Sequence, residues 1–126
     1  MTAPGIPDDL RRFILTSVPS VPYLEAILLL QRERGTAWTA PLVARRLYLP
    51  EPRATELLAS LHAAGLITAS SPQGSFTYTP QAQLASMLER LAQLYETNLV
   101  AVTDLIHSNV DRRAFQFADA FRLRKD

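Results

Sequence analysis

Apolar residues recur along the chain at helical spacing in most segments and at strand spacing in one. Leu10, Phe13 and Ile14 share one side of a short predicted helix, with Asp8 and Asp9 at its positive end and Pro19 beyond it. Ser20 is placed to cap a second helix that tolerates Pro22 in its first turn. Leu24, Ile27, Leu28, Leu29 and Leu30 give it so wide a stripe that it must be largely buried, and Gly35 ends it. Thr36–Thr39 reads as a short extended link with Trp38 turned inward. Thr39 then caps a third helix, from Ala40 to about Tyr48, seated by Val43, Ala44 and Leu47 with Arg45 and Arg46 outside.

Pro50 and Pro52 predict a tight turn into a fourth helix, Arg53 to about Ala64, whose inner positions are Ala54, Leu57, Leu58 and Leu61. Gly65 stops it. Leu66-Ile67 opens a strand, Ser70–Gly74 turns, and Phe76 and Tyr78 alternate in the returning strand, which together make a hairpin. From Pro80 onward the spacing predicts one long helix, Gln81 to about Ser108. Leu84, Leu91, Asn98 and Leu105 repeat every seven residues, with Met87, Leu94 and Ala101 between them. That is the pattern of a dimer seam, in which a polar Asn98 fixes register. Leu88, Tyr95, Val102 and Ile106 widen the stripe, so the same helix also has a face to lay on its own domain.

The pattern divides the chain into a flexible start (1–7), a domain (8–80), a long terminal helix (81–109) and a tail (110–126). In the tail Phe115, Phe117, Phe121 and Leu123 alternate with Arg112, Arg113, Arg122, Arg124 and Lys125. Such a mixture suits contact with a protein partner or nucleic acid, or a terminal helix packed back over the core or across a dimer.

The order helix, link, helix, sharp turn, helix, hairpin resembles a winged helix-turn-helix. Thr39-Ala-Pro-Leu-Val-Ala-Arg-Arg-Leu resembles the helix before the turn, and Leu57-Leu-Ala-Ser-Leu-His-Ala-Ala-Gly-Leu-Ile67 the recognition helix entering the wing. The resemblance covers about Val21 to Pro80 and, with the long terminal helix, is most similar to MarR- and PadR-type bacterial transcription regulators. It implies a mainly α fold with a small β-hairpin wing, a homodimer built by the terminal helix, and duplex DNA as partner. The implied DNA contacts are Arg45, Arg46, Arg53, Thr55 and Ser60; the implied dimer contacts are Leu84, Met87, Leu91, Leu94, Asn98 and Leu105.

Composition tempers this. Among 126 residues, 48% are hydrophobic and 20% charged, as in an ordinary globular chain, but the formal net charge is only +1. Bulk attraction to nucleic acid is therefore weak, and the turn Ser70–Ser75 carries no lysine or arginine. A winged helix used as a protein-interaction module, without specific DNA binding, is the alternative this charge balance keeps open.

There is no cysteine, so disulfides and thiolate metal sites are excluded. His62 and His107 lie in different predicted helices without acidic companions, and no phosphate loop or nucleophile elbow is present. The reading is of a non-enzyme with no cofactor or metal. The longest apolar run, Ala26–Leu30, falls far short of the roughly 20 residues that span a bilayer, and no signal peptide opens the chain. A cytoplasmic location without membrane contact is the expectation.

Overall fold

The computed structural model describes residues 5–108; the aromatic and basic stretch 110–126 lies outside them. The chain is mainly helical with a small two-stranded antiparallel sheet. In order come α1 (Asp8–Ser17), α2 (Val21–Arg32), α3 (Ala40–Leu47), α4 (Glu51–Ala63), β1 (Ile67–Ser70), β2 (Ser75–Tyr78), α5 (Ala82–Thr97) and α6 (Leu99–Ser108).

These elements form two compact units. One is Pro22–Arg90; the other joins the described residues up to Val21 with those from Leu91 onward. The division departs from the boundary expected at residue 80. α1 belongs with the C-terminal helical residues, and the first half of α5 belongs with the hairpin. Proximity of segments so far apart in sequence leaves no mark in either segment's own periodicity.

In the Pro22–Arg90 unit, the core is Leu24, Ile27, Leu30, Trp38, Val43, Ala54, Leu58, Leu61, Ile67 and Leu88, all essentially inaccessible. α3 packs on α4, and α4 on β1. The Thr39 hydroxyl accepts from the Leu42 amide at 3.3 Å, which satisfies one of the donors left open in the first turn of α3.

α4 begins at Glu51, two residues before the expected start, because Pro52 falls in the first turn where its missing N–H costs nothing. At its far end Gly65 takes φ +83°, and the Leu66 amide returns to the Leu61 carbonyl at 3.0 Å. This is a Schellman stop that turns the chain directly into β1.

β1 and β2 pair antiparallel, with Ile67 opposite Tyr78 and Ala69 opposite Phe76. Trp38 adds a single rung on the other side of β2: its amide donates to Phe76 O at 2.7 Å and the Phe76 amide donates back at 2.8 Å. The link before α3 is thus tied to the edge of the sheet at one residue. Gln31 Nε2 donates to the Tyr78 hydroxyl at 3.4 Å, which ties the end of α2 to the hairpin.

In the other unit the buried residues include Leu10, Ile14, Val18, Leu91, Val102 and Ile106. An open cavity of about 310 Å³ is lined by Gly5, Ile6, Arg11, Ala101, Asp104 and Leu105, so the start of the described chain lies beside α6.

The single helix expected over 81–108 is interrupted at Asn98. Hydrogen bonding nevertheless runs on through the break. The Asn98 amide donates to Leu94 O at 2.7 Å, and its own carbonyl accepts from Val102 at 3.2 Å, as the N-cap of α6 does. Thr97 just before it turns its hydroxyl back onto Gln93 O and Leu94 O. Asn98 is therefore a boundary residue as well as a heptad position.

Candidate nucleic-acid interface

The inner side of α4 is Ala54, Leu57, Leu58 and Leu61, all buried. With 3.6 residues per turn this fixes the remaining positions outward. Arg53, Thr55, Glu56, Ala59, Ser60, His62 and Ala63 are exposed, so all three candidates on this helix lie on its outer side. Their chemistry is mild. The Thr55 hydroxyl donates to Glu51 O at 3.1 Å, leaving its lone pairs outward. Arg53 Nη1 stands 4.0 Å from Glu56 Oε1, an exposed (i, i+3) pair too loose to immobilise the guanidinium. Ser60 is exposed one turn beyond Glu56.

The two arginines closing α3 have different fates. Arg45 is exposed and forms no ion pair among the described residues. Arg46 is engaged on two sides. Its Nη1 donates to Glu33 Oε1 at 3.0 Å, its Nη2 donates to Glu33 Oε2, and its guanidinium lies 5.8 Å from the centre of the Trp38 ring. Bidentate pairing and a cation–π contact thus act on the one guanidinium together. The hydrogen bonds from Arg46 hold the Glu33 carboxyl below the usual carboxylate range, and raise the guanidinium in turn. Arg46 thus acts as a brace between the end of α2 and α3, and its guanidinium is committed within the unit.

Arg34 is placed more loosely, 3.8 Å from the exposed Glu89 carboxylate and 6.0 Å from the centre of the Tyr78 ring. His62 leans on the hairpin through Phe76, ring centres 5.3 Å apart. The turn between the strands is exposed and carries no cation.

One exposed residue between these two helices is absent from the sequence-based candidates. Tyr48, between α3 and α4, is 93% exposed and has φ +58°. The available signal is that no glycine stands between α3 and Pro50, so a left-handed stop there falls on a residue with a side chain.

The expected seam residues are dispersed. Leu84, Met87, Leu94, Asn98 and Leu105 are half-buried, and Leu105 lines the cavity beside α6. Leu91, within the same stripe, is completely buried in the chain itself, so that part of the stripe is covered without a second copy, while Leu84, Met87 and Leu94 keep partial exposure. Sequence periodicity reports an apolar face and cannot say which of two neighbours covers it.

Among the described residues no three His, Asp or Glu side chains gather as metal ligands, and no single helix is long and apolar enough to cross a membrane. The chain matches no protein-family model and no curated protein.

Proposed function

We propose that the Pro22–Arg90 unit is a winged helix, resembling those of MarR- and PadR-type regulators, and that the chain is a DNA-binding transcription regulator. In this reading α4 is the recognition helix, the β1–β2 hairpin is the wing, and the Trp38 rung is the remnant of the strand preceding the helix pair. The supporting observation is the outward presentation of α4: Arg53, Thr55 and Ser60 are all exposed, Arg53 and Ser60 at one edge of the outer face and Thr55 at the other, with Arg45 at the end of the preceding helix in no ion pair among the described residues. A recognition helix reads base edges from its exposed face while nearby cations contact phosphates. Arg45 and Arg53 supply those cations; Arg46 does not, because Glu33 already holds it. The half-buried face of Leu84, Met87 and Leu94 would join two copies into a homodimer.

Duplexes selected from a random-sequence pool test the reading. Arg53→Ala should weaken binding to a selected site about tenfold, in line with the loss of one good base or phosphate contact. Unchanged affinity would remove α4 from the interface.

One observation favours a second reading, a winged helix that docks on protein. Arg34, Arg46 and Arg53 each face a glutamate within 4.0 Å, so the surface is close to electroneutral in patches as well as in sum. Retention of a specific protein partner by a chain that ignores DNA at low salt would select it.

A further inference from the structure

Two helices of the Pro22–Arg90 unit end in the same way. After α4 the Leu66 amide reaches the Leu61 carbonyl at 3.0 Å, and after α3 the Leu49 amide reaches the Ala44 carbonyl at 2.9 Å. Both stops need a residue in the left-handed region at the reversal. At the first that residue is Gly65, φ +83°; at the second it is Tyr48, φ +58°. Among the described residues every other positive φ, at Gly35, Gly65 and Gly74, is carried by glycine. A tyrosine pays there for the close approach of its Cβ to the following carbonyl, and bulky residues are rare in that conformation.

Burial gives nothing back. Tyr48 is 93% exposed and covers no core, and the Leu49–Ala44 hydrogen bond is made by backbone alone. Glycine would therefore serve the fold better. A strained conformation with no structural return points to use of the side chain itself. Its position says for what: it stands in the turn between the helix carrying Arg45 and the helix carrying Arg53. Tyrosine hydroxyls are regular donors to phosphate oxygens of duplex DNA.

We infer that Tyr48 is a contact residue of the DNA interface, its hydroxyl donating to a phosphodiester oxygen beside the site occupied by α4. This rests on the DNA-binding reading above. The left-handed backbone sets the direction in which the phenol leaves the turn.

Tyr48→Phe and Tyr48→Gly in the full chain provide the test, with affinity for a fluorescent pool of random duplexes at low salt and thermal melting as paired readouts. Tyr48→Phe should lose about tenfold in affinity, the loss of a hydrogen bond to a charged group, with an unchanged melting temperature. Tyr48→Gly should lose at least as much while melting a few degrees higher. Wild-type affinity in both variants overturns the assignment of Tyr48 and leaves the DNA reading standing. A lowered melting temperature for Tyr48→Gly makes Tyr48 a support of the fold and also overturns the assignment. Failure of the unaltered chain to bind duplex DNA overturns the DNA reading, and this inference with it.

Discussion

Arg46 and Glu33 meet through two hydrogen bonds across the gap between α3 and the end of α2, with the guanidinium carbon 5.8 Å from the centre of the Trp38 ring. A residue that by sequence belongs with Arg45 as a phosphate contact is thereby committed to the architecture. The two arginines should separate cleanly in a DNA-binding assay. Arg45→Ala should lower affinity and reduce the salt slope by about 0.9, the share of one phosphate contact. Arg46→Ala should leave the slope nearly unchanged. Equal effects from both would contradict the division of roles.

The same pair predicts a pH dependence. The Glu33 carboxyl in the folded chain ionises more readily than in the unfolded chain, so pairing adds stability above the unfolded value of about 4.3 and loses it as pH falls through the lower, folded value. Glu33→Gln should melt below wild type near neutral pH, and the difference should shrink on acidification below about pH 4. Both ends are exposed, so the effect is modest. A gap that widens with acid would remove Glu33 as its source.

Gly65→Ala isolates the backbone term at the end of α4. A Cβ there meets nothing within 4 Å, yet φ is +83°. The cost should be about 1–2 kcal/mol, from conformation alone. Leu61→Ala, a fully buried core truncation, should cost about 2–5 kcal/mol. Denaturant unfolding followed by the fluorescence of Trp38, the chain's sole tryptophan, measures both.

A homodimer through α5 would use Leu84, Met87 and Leu94, since Leu91 is already covered. Met87→Glu with Leu94→Glu should convert a sedimenting dimer into a folded monomer. A wild-type chain that is monomeric at every concentration would end that reading.

The sequence shows much of this molecule where a signal is local. Thr39, Gly35 and Gly65 mark helix ends by their chemistry, and Phe76 and Tyr78 mark the returning strand by alternation. The Trp38 rung was visible only as an inward aromatic in an extended link, because a bridge of one residue has no periodicity. Leu91 and Leu94 were indistinguishable by spacing, and only packing showed that the first is covered. The capture of Arg46 by Glu33 joins elements whose approach no spacing rule encodes. Tyr48 carries no such mark, because a left-handed helix stop is signalled in a sequence by glycine.

Binding of the full chain to a mixed pool of random and genomic duplexes, from low to physiological salt, tests the central claim most directly. The account predicts enrichment of a near-palindromic site that survives physiological salt. Its slope should be shallow, about −0.9 for each phosphate that Arg45 and Arg53 contact. No retention at low salt, or retention without enrichment that vanishes as salt is added, would contradict it.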